Sequence, residues 1–140
     1  TEYPLMIERY EFTDNSGPPP KYRGGLGILR EYRPIGHSTT FSGQGERFVN
    51  QPWGLFGGKS GGTGSFSTVS DNGGVSRLAN KPSALRVGPE NVIRVVTAGA
   101  GGFGDPLERS DVDLVEDRNS GKFTEEFLSK EYPQWKGLSD

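Results

Sequence analysis

The 140-residue sequence contains no cysteine, which excludes disulfide bonds, thiol nucleophiles and thiolate metal sites. No apolar stretch approaches the ~20 residues needed to cross a bilayer, and no basic segment followed by an apolar one marks an export signal. The sequence has 16 basic and 18 acidic residues and no long run of either sign. It therefore lacks the cluster of positive charge that nucleic-acid binding requires. These absences favour a soluble protein of the reducing cytoplasm.

Apolar residues are also scarce, at 31% of the chain, whereas glycine and proline contribute 22 and 10 residues. This composition predicts much loop and irregular backbone, with packing against a partner as one way to complete a core. An aromatic content of 11% and several β-branched runs distinguish the chain from a disordered one.

Four segments have the composition of strands or hairpins. They are a strand over residues 5–12 followed by an exposed loop over 14–20, a hairpin over 28–42, a hairpin of 65–70 with 75–78, and a hairpin of 84–87 with 92–97. Asn72-Gly73 favours a type I′ turn in the third segment. The last pair is the clearest because it is richest in β-branched residues.

The other segments are glycine-rich or compatible with helix. Residues 52–64 and 98–104 predict irregular backbone, since glycine permits positive φ but offers little to pack. Ser110 and Thr124 are expected N-caps of two short helices, joined by Asn119-Ser120-Gly121. We therefore predict a β and glycine-rich domain over residues 1–104 and a short helical tail over 105–140.

Four motifs appear in a fixed order: ERYE at 8–11, KYRGGLG at 21–27, PWGLFGG at 52–58 and GAGGFGDPLER at 99–109. This set resembles the C-terminal portion of hydantoinase B/5-oxoprolinase chains. That family includes the B component of N-methylhydantoinases, the corresponding half of 5-oxoprolinase, and a subunit of acetone and acetophenone carboxylases. Gly45-Glu46-Arg47 and Ala100 depart from the family's usual Asp-Arg pair and all-glycine run, which bears on the reaction served.

The expected fold is mainly β, a small barrel-like pair of sheets with a short helical C-terminal tail. The resemblance adds that the glycine-rich segments are of polyproline type. It also implies a chain several times longer than this one, so the sequence is either a fragment or a separately encoded subunit.

In function, the resemblance implies a multi-subunit, ATP-dependent cyclic-amide hydrolase of hydantoinase/oxoprolinase type. A hydantoinase-A-like component would phosphorylate the substrate, and water would then open the ring. ATP and a divalent metal would be bound by other chains, and the partners would be that component and the remaining hydantoinase-B-like subunits. A ketone carboxylase and a non-catalytic scaffold at the subunit interface are the alternatives.

Three residues are candidates for a catalytic role: His37, Arg23 and Arg47. Imidazole titrates near neutrality and could act as a base or a ligand, although a turn position explains His37 equally simply. The two arginines stand beside glycine-rich backbone, where guanidinium can clamp a carboxylate or phosphate or merely bind loop carbonyls.

Other residues receive structural interpretations. Gly57-Gly58-Lys59-Ser60 resembles the end of a phosphate-binding loop, but Trp53 occupies the position where that motif requires its first glycine. Asp105, before Pro106, is expected to set a turn or cap the next helix. The aromatic residues Trp53, Phe56 and Phe66 are assigned to the core. No serine has the His and Asp partners of a hydrolase triad.

Overall fold

A computed structural model describes residues 4–137. In chain order the strands are β1 (Leu5–Phe12), β2 (Ile28–Pro34), β3 (Thr39–Phe41), β4 (Ser65–Ser70), β5 (Val75–Arg77), β6 (Leu85–Val87) and β7 (Asn91–Val96). A 3-10 helix at Pro106–Glu108 precedes α1 (Asp111–Asn119) and α2 (Glu125–Glu131). The prediction of a mainly β fold with two sheets and a short helical tail is confirmed.

The strands form an antiparallel five-stranded sheet in the order β1-β2-β7-β4-β5, and β3 pairs with β6 in a second sheet. Within residues 4–137 the larger sheet is open, because β1 and β5 lie at its two ends and do not pair with each other. The sheets therefore do not close into a barrel over this part of the chain. No helix there is long and apolar enough to cross a membrane.

The hairpin of β4 and β5 is confirmed, although its turn differs from the expected type. The Gly73 amide donates to the Ser70 carbonyl at 2.8 Å, and the Ser70 amide donates to the Gly74 carbonyl at 2.9 Å. Positive φ falls on Gly73, at +82°, and not on Asn72. A type I′ turn needs positive φ at both central residues, and here only Gly73 has it, so the turn is not of type I′.

The other two hairpins are wrong in their pairing, although each of their strands exists. β2 pairs with β1 and β7 instead of β3, and β7 pairs with β2 and β4 instead of β6. The physical reason is length and burial. β7 pairs with β2 along four residues and with β4 along six, so it lies in the middle of the sheet and Val92 and Ile93 are buried. The three-residue strand β6 could not bury them in the same way.

Two groups of apolar side chains form the interior. On the sheet, Phe66 is buried against Phe41 and Phe48, with ring centroids 5.4 and 4.7 Å apart. The helical tail is built around four buried residues, Leu114, Phe123, Leu128 and Tyr132, with Leu26, Phe127 and Trp135 packed against them.

Residues 18–20 lie in this interior, so the prediction that the whole 14–20 segment is an exposed loop is wrong. All three prolines are buried. A Cβ on Gly102 would stand 2.5 Å from Pro20 Cβ, so the absence of a side chain there lets the proline ring come close.

The helix caps are confirmed. Ser110 Oγ accepts from the Asp113 amide, and Thr124 Oγ1 accepts from the Phe127 amide, both at 3.2 Å. Asp105 Oδ1 accepts from the Leu107 amide at 2.9 Å, so this aspartate caps the 3-10 helix, as the sequence suggested.

Candidate functional site

Three glycine-rich segments meet backbone to backbone, and we call this region the glycine junction (residues 16–27, 52–64 and 98–104). The last segment forms hydrogen bonds with both of the others, and the Gly62 amide also donates directly to the Ser16 carbonyl at 2.8 Å. Tyr22 and Phe103 exchange amide-to-carbonyl hydrogen bonds of 2.9 and 3.2 Å. On the other side, the Leu55 amide donates to the Gly102 carbonyl and the Gly104 amide donates to the Leu55 carbonyl. The junction thus joins distant parts of the sequence mainly through their backbones.

Particular glycines are required for this approach. A Cβ on Gly101 would lie 1.8 Å from the Trp53 carbonyl oxygen, and one on Gly99 would lie 1.9 Å from that of Ser16. Ala100 stands between these glycines and is exposed. The departure from an all-glycine run therefore occurs at a position where a methyl group has room.

One edge of the junction carries exposed apolar side chains, which we call the aromatic patch (Tyr22, Leu55, Phe56 and Phe103). The Phe56 and Phe103 ring centroids are 5.0 Å apart, and those of Tyr22 and Phe103 are 6.2 Å apart. Trp53 is nearby in sequence and is 64% exposed, whereas Phe56 is 78% exposed. The prediction that Trp53 and Phe56 form the core is wrong, because the close-packed glycine backbones leave no space for rings between them. Phe66 is buried as expected.

A buried ion-pair cluster connects the junction to α1. Asp117 is 2% exposed and accepts from Arg23 Nε at 3.0 Å and from an Arg109 Nη at 2.6 Å. Arg109 also donates to the Lys21 carbonyl, and Arg23 donates to the Gly24 carbonyl. Because both arginines bind junction backbone and the same carboxylate, the cluster fixes the first helix against the glycine-rich segments.

Tyr132 lies beside this cluster and is completely buried. Its hydroxyl donates to the Pro20 carbonyl at 3.4 Å. Burial away from water disfavours the phenolate and raises the pKa of Tyr132 well above its usual value. The phenol is therefore a neutral hydrogen-bond donor at physiological pH.

The three sequence candidates have separate surroundings. Arg23 belongs to the ion-pair cluster. His37 is exposed in the turn after β2, with Nδ1 3.0 Å from the Ile35 carbonyl oxygen. Arg47 has a positive φ of +57° and its guanidinium lies 4.7 Å from the centroid of the Trp53 ring. The structure does not bring these residues into one constellation, and a catalytic role for any of them stays a prediction.

Lys59, in the loop compared with a phosphate-binding motif, contacts the helical tail. Its Nζ lies 2.8 Å from Glu131 Oε2 on α2. The hydrogen bond from Lys59, reinforced by its charge, lowers the pKa of Glu131 below its usual value. Among residues 4–137, no group of three or more His, Asp or Glu side chains is placed to hold a metal ion.

Asp117, Arg109 and Tyr132 were not among the residues that the sequence predicted for the site. Arg109 ends the GGFGDPLER motif, and this position was the one available signal. Asp117 is one of several carboxylates in a polar helix, and only the packing of that helix on Arg23 distinguishes it.

Comparison with known proteins gives a consistent set of relatives. A protein of Pseudomonas sp. (strain NS671), named as the B-type subunit of a D-/L-hydantoinase, is 35% identical over 135 residues, which are 94% of this chain and 22% of that protein. The solved ATP-dependent caprolactamase from Pseudomonas jessenii has a TM-score of 0.76 at 25% identity, covering 93% of this chain and 23% of its own. A nucleotide-free acetone carboxylase structure has a TM-score of 0.75 at 22% identity, covering 92% and 21%.

The chain thus spans about a fifth of the length of each of these relatives. The family model described as Hydantoinase B/oxoprolinase matches residues 1–106, which include the glycine junction and the strands of both sheets. The protein therefore belongs to the hydantoinase B/oxoprolinase family.

Proposed function

We propose that this chain is a subunit or fragment of a multi-subunit ATP-dependent cyclic-amide hydrolase of hydantoinase/oxoprolinase type. The observation that carries the proposal is the 35% identity to the B-type hydantoinase subunit across 94% of the chain. The structural likeness to an ATP-dependent caprolactamase supports the same reaction class, since caprolactam is a cyclic amide.

In this proposal the partner component hydrolyses ATP and activates the ring amide, and water then opens the ring. ATP and a divalent metal are bound by other chains, namely a hydantoinase-A-like subunit and the remaining hydantoinase-B-like portion. We further propose that the isolated chain is inactive and that the complex works in the cytoplasm, which agrees with the absence of cysteine.

The contribution of this chain would be architectural. The glycine junction brings three segments together, and the ion-pair cluster attaches the helical tail to it. We propose that the glycine-rich segments have polyproline-type backbone and that residues 1–104 and 105–140 are the two parts of this chain.

The proposal is tested by assaying the assembled complex for ATP hydrolysis with hydantoins, 5-oxoproline and caprolactam, and separately with ketones plus bicarbonate. We expect stimulation by one of the cyclic amides. If ATP hydrolysis is stimulated only by a ketone with bicarbonate, and by none of the cyclic amides, the carboxylase alternative replaces this proposal. That alternative has weaker support, because the acetone carboxylase likeness, at 22% identity, concerns the fold.

A non-catalytic scaffold is the second candidate, and the separate surroundings of His37 and Arg47 favour it. Both side chains are exposed, so His37→Ala and Arg47→Ala should leave the fold intact. As a scaffold, the chain should retain nearly full turnover with either variant in an assembled complex. A large loss of turnover in an assembled variant would instead assign that residue to the reaction.

A further inference from the structure

The half of the five-stranded sheet formed by β1 and β2 carries apolar side chains on one side. Cα partners in the register place Leu5, Ile7, Tyr10 and Phe12 opposite Pro34, Tyr32, Arg30 and Ile28, respectively. Directly paired residues point to the same side of a sheet, so all eight share one face, which we call the apolar face; Arg30 is the one charged residue among the eight. Its four β1 side chains are 43–65% exposed.

A β-bulge creates this arrangement. The register shifts between Ile7 and Arg9, which leaves Glu8 without a directly opposite residue. In an unbroken strand, Leu5 and Ile7 would face away from Tyr10 and Phe12, because side chains alternate. The extra residue reverses the alternation once and collects all four on one side.

The opposite face of β1 is suited to water. Arg9 forms ion pairs with Glu11 and Glu31, and Glu31 also pairs with Arg94 across the sheet. The charged groups of that side pair with one another. The apolar face instead exposes a mostly apolar surface, whose one charged group, the Arg30 guanidinium, lies 4.3 Å from the centroid of the Tyr10 ring.

Part of the apolar face is already covered. Over the β7 and β4 half, Phe41 of β3 and Phe48 pack on Phe66, and Ile93 is buried. A groove then continues from beneath β3 onto β1 and β2, lined by Leu5, Tyr32, Pro34, Thr39, Thr40, Phe41 and Ile93. The covering layer thus ends halfway across the sheet among residues 4–137.

We propose that the remaining hydantoinase-B-type portion of the assembly covers the β1–β2 half of the apolar face. In the solved caprolactamase, the same fold is part of one chain and amounts to only 23% of it. Such a chain supplies ample polypeptide to continue the covering layer. The proposal rests on the proposed function, because it requires that portion to be present in the complex.

The test uses the assembled complex with the photo-cross-linker p-benzoylphenylalanine in place of Phe12 and, as a matched control, in place of Met6. Met6 is on the same strand and is similarly exposed, at 51%, but its register partner Arg33 places it on the charged face. After irradiation, peptide mass spectrometry identifies the cross-linked residues, whether the B-type portion is a separate chain or continuous with this one.

We expect the cross-linker at position 12 to react with the remaining B-type portion. The cross-linker at position 6 should give a much lower yield of that product. Cross-links from the Phe12 position to the hydantoinase-A-like subunit or to a second copy of this chain would overturn the proposal. Equal yields at the two positions, or no product from the Phe12 position, would also overturn it.

Hydroxyl-radical footprinting of the unmodified complex provides a second measurement that does not depend on the substituted chain assembling. Tyr10 and Phe12 should lose most of their labelling in the complex relative to the isolated chain at a concentration where it is monomeric, and retained labelling would contradict the proposal. Neither measurement reads turnover. If the complex shows the expected cross-link but hydrolyses no cyclic amide, the proposed function is rejected. The proposal that the B-type portion covers the apolar face then still holds.

Discussion

At the scale of single residues, Asp117 is held by several contacts at once. Its carboxylate is almost fully buried and is shared by two arginines that also bind carbonyls of the glycine junction. Removing one member of a buried ion pair leaves an uncompensated charge in a poorly hydrated place. Arg109, with a side chain 7% exposed, would suffer this most.

Asp117→Ala is therefore expected to lower the free energy of unfolding by about 3–5 kcal/mol. Glu116→Ala is the matched control, because Glu116 is the neighbouring residue of the same helix and its side chain is 69% exposed. We expect the control to change stability by less than about 0.5 kcal/mol. Urea-induced unfolding measures both variants, and equal midpoints would contradict a stabilising role for the cluster.

The Lys59–Glu131 pair predicts a pH dependence of stability. The folded pKa of Glu131 is lowered, so the pair stabilises the fold above the unfolded pKa of about 4.3 and loses that contribution as pH falls through the folded pKa. Lys59→Gln should destabilise the chain at pH 7 by at most about 1 kcal/mol, because Lys59 is half exposed. The difference from the parent should shrink at a pH low enough to protonate Glu131 in the folded chain.

Glu131→Gln provides the background for a double-mutant cycle. With the carboxylate absent, Lys59→Gln should have little effect at either pH when unfolding is followed by circular dichroism. An undiminished effect in that background would show that Lys59 acts through some other contact.

At the scale of elements, close backbone contact determines the glycine junction, and side-chain caps determine where the helices begin. The glycines are not equivalent. A Cβ would collide with backbone at Gly101, whereas no atom lies within 4 Å of a Cβ built on Gly25. Alanine at Gly101 therefore tests the close backbone contact, whereas alanine at Gly25 tests only the effect of replacing a glycine.

Gly101→Ala should destabilise the fold by about 1–3 kcal/mol, because the Trp53 carbonyl must move away from the new methyl group. Gly25→Ala should be neutral or stabilising by up to about 1 kcal/mol, since alanine restricts the unfolded chain. Thermal unfolding monitored by circular dichroism compares them. Similar melting temperatures for the two variants would contradict the close approach of segments 98–104 and 52–64.

Thr124→Ala should cost about 1 kcal/mol, because it removes the acceptor for the Phe127 amide at the start of α2. Thr124→Ser keeps that acceptor and should recover most of the loss. Urea unfolding of the pair distinguishes the cap from the contribution of the methyl group. A serine variant as unstable as the alanine variant would assign the effect to packing.

At the scale of the whole molecule, residues 4–137 expose apolar side chains on the apolar face of β1 and β2 and on the aromatic patch of the glycine junction. Its relatives are several times longer, so more polypeptide is available in them to meet such surfaces. A contiguous apolar face without a covering layer is also a place for self-association.

The isolated chain is accordingly expected to self-associate as its concentration rises in sedimentation-velocity measurements. Ile7→Ser combined with Phe12→Ser should reduce this self-association with little change in unfolding midpoint, since both side chains are more than half exposed. Val112→Ser, on α1 and 78% exposed, is the control and should leave self-association unchanged. If both changes reduce self-association equally, the β1 face is not the site of self-association.

The sequence by itself determined the local structure and the family. Strand composition located β1, β2, β4 and β7, and the caps Ser110 and Thr124 located the helices, because both depend on residues close together in the chain. The glycine motifs identified the family, because their order and spacing are written directly in the sequence.

Only the tertiary structure decided how these parts meet. Strand pairing placed β7 between β2 and β4, since burial of Val92 and Ile93 depends on neighbours far away in sequence. Packing likewise selected Asp117 from several similar carboxylates and put Trp53 and Phe56 outside. A bulge at Glu8 turned an irregular sequence pattern into one apolar face, because side-chain direction in a strand depends on register as well as composition.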